Sequence, residues 1–415
     1  MSVSTDLMAD FYQHARVPTL HHLAHADSAE REQEMLAWEE KKPVALLLPA
    51  LYAECERPAL PRILEEVSQA RHISEVVLSM NGMNAAEHDR ALLFCRQNLK
   101  GKRAHILWND GPRLTQVYQR MADAGLPGAH AGKGSNIWMG IAWLKARGFK
   151  GVVVSHDTDI LNYSRDLLWR LCYPLLHPCM GYRFAKGYYS RVSDRLFGRV
   201  TRLLIFPLIQ ACRDVLGAQP LIEQLESYRY PLSGEFAADM DALQDFSLPG
   251  GWGLEIALLC EAFRHLPGEH QCQVDLGFHF EHRHRSLSHE EVGVNEPGLI
   301  TAAADVARCL AFQVLRESEP SSAEGYMSLI IERYRSRAQE WLSRYEHVAL
   351  LNGLRHDAEE EGAAVTAFGQ ALDRLLKNLP TEGLRVPALR DTPAKTFAQI
   401  PGLAEEIAGC ATEVC

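Results

Sequence analysis

Short apolar segments alternate with helical patterns through the first half of the chain. Residues 44–50 (VALLLPA), 75–79 (EVVLS), 104–110 (AHILWND) and 151–155 (GVVVS) have the length and the continuous hydrophobicity of buried strands. The residues between them show helical periodicity. Because strands that are apolar on both faces and separated by helices are typical of a parallel sheet covered on both sides, the pattern predicts a doubly wound α/β domain.

The helical patterns differ between the two halves of the chain. Before the fourth predicted strand, Ile137, Ile141 and Leu144 lie on one stripe, which predicts an amphipathic helix. Beyond residue 300, the periodicity of residues 326–351 and 364–379 predicts longer helices, and residues 378–393 form a proline-containing break. We therefore expect an N-terminal helical arm over 1–40, an α/β domain over 41–295 and a helical C-terminal region over 296–415.

Composition narrows the class of protein. The 415 residues are 47% hydrophobic and 23% charged, which is typical of a globular chain. A net charge of -10 argues against a nucleic-acid partner, which would require a basic face. No apolar segment has the length that a membrane span needs, and the N-terminus has no apolar signal core. The ten cysteines form no CxxC pair. These features predict a cytoplasmic protein.

Polar side chains follow the predicted strands at the edge where parallel sheets bind ligands. Glu54 follows the first strand, Asn81 the second, and Asp157 and Asp159 the fourth. Because residues i and i+2 of an extended chain project to the same side, the two aspartates can converge on one point. Two such carboxylates predict a Mg²⁺ or Mn²⁺ ion that binds a nucleoside diphosphate. A pair of solvated acids in a turn would give the same pattern.

Two other clusters extend the picture. Lys133 lies in AGKGSN (131–136), just before a helix, where backbone N–H groups favour phosphate, although the spacing is not that of a P-loop. An ordinary solvated turn would also contain such a lysine. His279, His282 and His284 alternate with aromatic residues and arginines after a predicted strand. They could form a zinc site, add a ligand to the aspartate centre, or be polar residues of an edge strand.

Several motifs together resemble one known family. They are PALYAE (49–54), GKGSN (132–136), DTD (157–159), GRVT (198–201), PLSGEF (231–236), GGWGLEIALL (250–259) and HRHR (282–285). In order and spacing they resemble the glucosyl-3-phosphoglycerate synthases, which are retaining glycosyltransferases of the GT-A fold and relatives of the mannosyl-3-phosphoglycerate synthases. The resemblance covers about residues 43–290, and PLSGE followed by GxGxE is more specific than DxD. It implies a mixed Rossmann-like sheet with a nucleotide-sugar half over 41–160 and an acceptor half over 161–295.

The resemblance also implies roles for individual residues. Leu51, Glu54 and Asn81 would contact the nucleoside of the donor, with Asp157 supporting the nucleotide. Lys133 would contact the donor, and Trp252 would hold its sugar. Asp159 and His282 would ligate Mg²⁺ or Mn²⁺. The acceptor residues would be Arg199, Thr201 and His284, while Glu255, the backbone of Leu232 and Asp159 would act at the reacting centre.

The chain departs from the family pattern at three places. SMNGMN (79–84) has no aspartate to read the base, so Asn81 or Asn84 would substitute for it. His284 stands where glucosyl enzymes have asparagine, and Trp252 stands where tyrosine is usual. The first departure leaves the nucleotide undetermined, and the second leaves the acceptor geometry undetermined.

The expected activity is transfer of a hexose, glucose in the leading interpretation, from a nucleotide sugar to the 2-hydroxyl of 3-phosphoglycerate. The product, glucosyl-3-phosphoglycerate, would serve the synthesis of the compatible solute glucosylglycerate. Candidate donors are UDP-glucose, GDP-glucose and GDP-mannose, the last for a mannosyl enzyme. Two competing hypotheses are a sugar-phosphate nucleotidyltransferase and a helical interaction protein without activity. We expect a homodimer.

Overall fold

The computed structural model describes residue 13 and residues 15–24, 27–277, 298–316, 320–386 and 388–414, with only the backbone of residues 320–322. Strands and helices alternate up to residue 275 and helices dominate after it. The strands are β1 (Thr19–Leu20), β2 (Val44–Leu51), β3 (Glu75–Asn81), β4 (Arg103–Trp108), β5 (Val152–Ser155), β6 (Phe184–Tyr188), β7 (Phe236–Asp239), β8 (Leu248–Pro249), β9 (Gln271–Asp275), β10 (Leu389–Arg390) and β11 (Thr412–Glu413).

The helices pack on both faces of the sheet and beyond it. They are α1 (Ser28–Glu39), α2 (Ala59–Gln69), α3 (Ala85–Asn98), α4 (Pro112–Asp123), α5 (Lys133–Ala146), α6 (Arg165–Leu176), α7 (Phe206–Leu216), α8 (Pro220–Ser227), α9 (Met240–Leu243), α10 (Leu254–His265), α11 (Leu299–Leu315), α12 (Pro320–Leu351), α13 (Ala358–Glu382), α14 (Pro393–Gln399) and α15 (Leu403–Ala408). Short 3₁₀ helices span Tyr52–Glu56 and Gly268–His270, and a π-helix spans Val200–Ile205.

Nine strands form one mixed sheet within the described residues, in the order β1-β9-β6-β7-β5-β2-β3-β4-β11. The four predicted strands, β2 to β5, lie together and pair in parallel. β7 is antiparallel to both of its neighbours. Side chains of β2 contribute to the hydrophobic core on each face, with Leu47 on one and Leu46 on the other. The doubly wound mixed sheet predicted from the sequence is confirmed.

Helix α5 differs from its prediction. The sequence suggested one apolar stripe, but every residue from Gly134 to Leu144 is buried. The helix lies between β2 and β3 on one side and the C-terminal segment on the other, since Trp138 Nε1 donates to the Asp391 carbonyl and Trp143 Nε1 to the Ala408 carbonyl. A helix covered on both sides needs no polar face.

The C-terminal region adds helices and also completes the sheet. Helix α12 packs on α7, and α13 packs on α11 and α12. Helix α13 continues through Pro380 to Glu382, so the predicted proline break begins later than expected. The tail then returns to the α/β core, where β10 pairs with β8 and β11 pairs with β4 at the sheet edge. Arg390 is fully buried there and binds Ser135 Oγ and the Gly128 carbonyl, both at 2.8 Å.

The N-terminal segment contacts the core at the other sheet edge. Strand β1 pairs with β9 in parallel, and Val17 and Met35 are buried. Helix α1 begins at an Asp27 cap and packs on α6. The segment therefore has more contact with the sheet than its polar sequence suggests. Among the helices described, none is long and apolar enough to cross a membrane.

Candidate active site

The carboxyl ends of β2, β3 and β5 meet at one edge of the sheet. Leu51 at the end of β2 pairs with Asn81 at the end of β3, and β5 lies on the other side of β2. Asp157 and Asp159 follow β5 at this edge, and both line one cavity of about 470 Å³. Both aspartates therefore border one cavity, and their convergence on a single point stays a prediction.

A lysine joins two carboxylates in this cavity. Lys133 Nζ, at the start of α5, lies 2.5 Å from Asp157 Oδ1 and 2.9 Å from Glu255 Oε1. Burial disfavours the charged lysine, but the two carboxylates outweigh it and raise the pKa of Lys133 above its ordinary value. The lysine is therefore positively charged at neutral pH. We call Lys133, Asp157, Asp159 and Glu255 the carboxylate side of the cavity.

Glycines allow the backbone to approach these groups closely. A Cβ atom on Gly234 would lie 2.3 to 2.4 Å from the Asp157 carboxylate atoms, and one on Gly134 would lie 2.0 Å from the Pro249 carbonyl oxygen. The Ser135 N–H donates to the Gly250 carbonyl at 3.0 Å. At least one amide at the start of α5 is therefore used within the protein, so this turn offers phosphate fewer free N–H groups than the sequence suggested.

A second lysine lies beneath the cavity. Lys186 on β6 is 1% exposed, and its Nζ donates to the Ser233 carbonyl, next to Leu232 in the cavity wall. Burial lowers the pKa of Lys186 to about 8. Glu235, which is fully buried, accepts a hydrogen bond from the Asp157 N–H at 3.3 Å. The PLSGE segment is thus fixed by buried charged side chains.

The predicted nucleoside contacts lie beside the cavity and not in its wall. Within the described residues, the cavity lining does not include Leu51, Glu54 or Asn81. Glu54 is buried and forms an ion pair with Arg57. The Asn81 Oδ1 accepts a hydrogen bond from Asn136 Nδ2 at 3.0 Å. These residues border the same sheet edge, next to the end of β5.

Asn84, the other candidate to read the base, has a local structural role. Its side chain accepts from the Glu87 N–H at 3.0 Å, and the Glu87 carboxylate accepts from the Asn84 N–H at 2.8 Å. This reciprocal pair is a capping box at the start of α3. Both asparagine side chains therefore make hydrogen bonds within the protein, and the donor-binding role of either one stays a prediction.

Arginines also line this cavity. Arg199 and Thr201 come from the GRVT motif, where the chain enters the π-helix, and both line the cavity. Arg199 binds two carboxylates of α13, with Nη2 at 2.7 Å from Glu360 and Nε at 3.1 Å from Glu361. We call Arg191, Arg195, Arg199 and Glu360, which all line the cavity, its arginine side.

Behind this wall a buried ion pair holds the loop in place. Both Arg202 terminal nitrogens lie 2.9 Å from the Glu361 carboxylate, and Arg202 Nε donates to the Phe197 carbonyl at 2.9 Å. Although burial disfavours the ionised acid, its hydrogen bonds and charge interactions with Arg202 and Arg199 lower the pKa of Glu361. The carboxylate is therefore charged at neutral pH.

The structure brings most of the sequence candidates together and adds others. The predicted residues in the lining are Lys133, Asp157, Asp159, Arg199, Thr201, Leu232, Trp252 and Glu255. The polar lining residues that the sequence motifs did not indicate are Tyr189, Arg191, Arg195, Tyr230 and Glu360. The first three follow β6 in the segment KGYYSRVSDR (186–195), so their position after a strand was a usable signal.

The predicted histidines cannot be placed in this site. His279, His282 and His284 lie outside the described residues. In the part of the chain that is described, no group of three or more His, Cys, Asp or Glu side chains is arranged to hold a metal ion. The metal and acceptor roles expected for His282 and His284 stay predictions.

The sequence is similar to known proteins over nearly its full length. It is 33% identical over 401 residues to the glucosyl-3-phosphoglycerate synthase of Persephonella marina, covering 96% of this chain and 97% of the relative. It is 32% identical over 372 residues to the glucosyl-3-phosphoglycerate synthase of Methanococcoides burtonii, covering 88% of each chain. No protein-family model matches the chain.

Solved structures of the same kind of enzyme share the fold. A crystal structure of the glucosyl-3-phosphoglycerate synthase from Mycobacterium tuberculosis with Mn²⁺, UDP-glucose and phosphoglyceric acid has a TM-score of 0.50 and 25% sequence identity. The match covers 72% of this chain and 88% of that chain. A structure of that enzyme with Mn²⁺, UDP and glucosyl-3-phosphoglycerate also has a TM-score of 0.50 and 25% identity.

The mixed sheet, with carboxylates and a lysine at the carboxyl ends of its strands, defines a glycosyltransferase of the GT-A class. The near full-length similarity narrows the class further. The chain belongs to the glucosyl-3-phosphoglycerate synthase family. The family that the sequence motifs resemble is thereby confirmed, and so is the assignment of the chain as an enzyme.

Proposed function

We propose that this chain transfers glucose from UDP-glucose to the 2-hydroxyl of 3-phosphoglycerate, with retention of the anomeric configuration, for glucosylglycerate synthesis. The observation that carries the proposal is that the carboxylate side and the arginine side line the same cavity of about 470 Å³. A related enzyme has been crystallised with Mn²⁺, UDP-glucose and phosphoglyceric acid together, which supports these substrates. The cavity has groups suited to both a diphosphate donor and an anionic acceptor.

We propose that Asp159, with Asp157 beside it, holds Mg²⁺ or Mn²⁺. Two carboxylates at one cavity suit a hard cation that completes its coordination with the phosphate oxygens of a substrate. His282 is the third proposed ligand. When bound, the cation supplies Lewis-acid stabilisation of the negative charge on the departing diphosphate. The Mn²⁺ in the related enzyme supports this choice of ion.

On the carboxylate side, Lys133 is the proposed contact to the donor. Its ammonium group already lies between Asp157 and Glu255, so it is held in the cavity before substrate binds. Trp252 is half-buried in the cavity wall and provides a flat apolar surface for the sugar. We assign Leu51, Glu54 and Asn81 to the nucleoside, because they border the same strand ends.

On the arginine side, Arg199 and Thr201 are the proposed acceptor contacts. An arginine fork matches the planar oxygens of a carboxylate or the oxygens of a phosphate. Such a group explains how a chain with a net charge of -10 can bind a polyanionic acceptor. His284 remains a proposed acceptor contact from the sequence.

The reaction exchanges one bond at the anomeric carbon for another. The bond from the anomeric carbon to the diphosphate oxygen breaks, and a bond to the acceptor 2-hydroxyl oxygen forms. In the proposed same-face route, the hydroxyl proton passes to the departing diphosphate. Glu255, held by Lys133 at 2.9 Å, is assigned to orient sugar hydroxyl groups. Leu232 lines the cavity, and its backbone is assigned to the region of the anomeric carbon.

A side-by-side assay tests the proposal. The protein is incubated with Mn²⁺, 3-phosphoglycerate and, in separate reactions, UDP-glucose, GDP-glucose or GDP-mannose. We expect UDP release from UDP-glucose above the other two, and an α-linked product by NMR. Preference for GDP-mannose would assign a mannosyl enzyme instead. Release of no nucleoside diphosphate from any donor would refute the proposal.

We also propose a homodimer in the cytoplasm. At the end of α12, Leu350 and Leu351 are 68% and 88% exposed, so this helix presents apolar side chains that a second copy could cover. The described cysteines are all unpaired thiols, which suits a reducing compartment. Light scattering should give twice the chain mass of 46.5 kDa, and a value of one chain mass would contradict the dimer.

A further inference from the structure

The C-terminal helical region supplies side chains to the arginine side of the cavity. Glu360 and Glu361 lie in the first turn of α13, more than 150 residues from Arg199 along the chain, and both bind that arginine. The two glutamates differ in position. Glu360 lines the cavity, whereas Glu361 lies behind it and is 5% exposed.

Glu361 connects two arginines of the GRVT segment. One of its oxygens accepts from Arg199 Nε at 3.1 Å and from Arg202 Nη2 at 2.9 Å, and the other accepts from Arg202 Nη1 at 2.9 Å. Arg202 also donates to the carbonyls of Leu196 and Phe197, which line the cavity. Because Glu361 binds Nε of Arg199, it restricts the orientation of a guanidinium group that lines the cavity.

Glu360 lies where an anionic ligand of the arginines would bind. Its Oε2 is 2.7 Å from Arg199 Nη2 and 3.7 Å from Arg195 Nη1, so two guanidinium groups meet at one carboxylate. Its side chain is 35% exposed, in contrast to 7% for Glu361. A partly exposed ion pair is weak enough for a charged ligand to replace it.

The charge balance of this cluster favours such a replacement. Arg195, Arg199, Arg202 and Arg355 contribute four positive charges, and Asp194, Glu360 and Glu361 contribute three negative charges. If Glu360 turns toward solvent, the cluster has two more positive charges than negative charges, while Glu361 still binds Arg199. An acceptor that carries a carboxylate and a phosphate provides the missing negative charge.

We propose that Glu360 and Glu361 have opposite effects on acceptor binding: Glu361 is a positioning residue that orients Arg199, and Glu360 is an internal anion that the acceptor must displace from Arg199. The proposal rests on the proposed role of Arg199 in binding the acceptor. It follows that α13 tunes the affinity of the acceptor site.

The test compares three charge-neutralising variants of one helical turn. Glu360→Gln should lower the KM and the calorimetric Kd for 3-phosphoglycerate about threefold, because a neutral amide competes less well for Arg199. Glu361→Gln should raise both roughly tenfold, because Arg199 loses a charged hydrogen-bond acceptor. Glu359→Gln is the matched control, since Glu359 belongs to the same turn but is exposed, and it should change neither value.

The KM for UDP-glucose separates this proposal from a general structural effect. A positioning role changes the acceptor constants and leaves the donor KM within about twofold, whereas distortion of the whole cavity changes the KM of both substrates. An acceptor Kd that rises or stays constant in Glu360→Gln relative to Glu359→Gln would overturn the inference, even if Glu361→Gln does not fold. If the unaltered protein binds 3-phosphoglycerate but makes no product, the proposed function fails while the binding comparison still decides this inference.

Discussion

The carboxylate side and the arginine side of the cavity are built in different ways. On the carboxylate side, Asp157 and Asp159 follow a strand, and their neighbours come from strand ends and helix starts of one sheet edge. On the arginine side, a loop and a π-helix hold Arg199, and its partners come from α13, 162 positions away for Glu361. The position of the carboxylate side is set by the sheet, whereas the position of the arginine side depends on how the C-terminal helices pack.

This difference has a chemical counterpart. The carboxylate side pairs one lysine with two acids, so it has an excess of negative charge that suits a cation. The arginine side has an excess of positive charge, which suits an anionic acceptor. Substitutions on the two sides should therefore affect different steps of the reaction.

The largest effect is expected from Asp159→Asn on the carboxylate side. Loss of the charge should lower kcat by about a thousandfold, because several kcal/mol of stabilisation of the leaving group depend on a bound cation. Turnover of UDP-glucose with Mn²⁺ and 3-phosphoglycerate measures the loss. The circular dichroism spectrum should not change, and an unaltered rate would contradict the proposed role of Asp159.

Lys133→Met should weaken the fold as well as activity. Without the ammonium group, the carboxylates of Asp157 and Glu255 lie unpaired in a mostly buried position, which costs about 3 kcal/mol of unfolding free energy. Urea unfolding measures this change. Lys150→Met, at an exposed position, is the control and should leave the midpoint unchanged. Equal midpoints for the two variants would show that the lysine network does not stabilise the protein.

Arg199→Ala should act on the acceptor alone. Loss of a charged hydrogen-bond donor should raise the KM for 3-phosphoglycerate about fiftyfold, with a much smaller change in the KM for UDP-glucose. Steady-state kinetics with each substrate varied in turn measure the ratio. Arg213→Ala, at an exposed position on α7, is the control. An equal increase of both constants would remove the distinction between the two sides.

Acid should destabilise the sheet before it affects the arginine side. His72, before β3, is fully buried, and burial lowers its pKa to about 3, so it stays neutral when folded but takes up a proton when unfolded. Unfolding free energy should therefore fall by about 2 kcal/mol from pH 7 to pH 5 on account of this residue. Over that range Glu361 stays ionised, because its folded pKa is lowered. In urea unfolding, the His72→Leu variant should show a fall in unfolding free energy from pH 7 to pH 5 that is smaller by about this amount. The same fall in the variant and in the unaltered protein would contradict the role of His72.

The sequence predicted the carboxylate side better than the arginine side for a physical reason. Apolar strands identify the sheet, and the residues that follow parallel strands meet at one edge, so Asp157 and Asp159 could be placed from local sequence. Lys133 was found from its glycine-flanked motif. The partner residues Glu360 and Glu361 gave no signal, because an acidic first turn is typical of any helix that begins in solvent.

The secondary structure also shows what local sequence patterns can and cannot predict. The strands β2 to β5 could be predicted because each is a continuous apolar run. Strands β1, β10 and β11 have two residues each, which is too short for a periodic pattern. Helix α5 was expected to have a polar face, but the returning C-terminal segment covers it. Contacts made by a distant segment cannot be read from local periodicity.

The central claim is that the carboxylate side binds the sugar donor through a divalent cation while the arginine side presents 3-phosphoglycerate to it. Glucosyl transfer from UDP-glucose to 3-phosphoglycerate, followed by NMR before and after removal of divalent ions with a chelator, tests it most directly. We predict an α-linked product with Mn²⁺, none after chelation, and full recovery when Mn²⁺ is restored. Undiminished transfer by the chelated protein would contradict the claim.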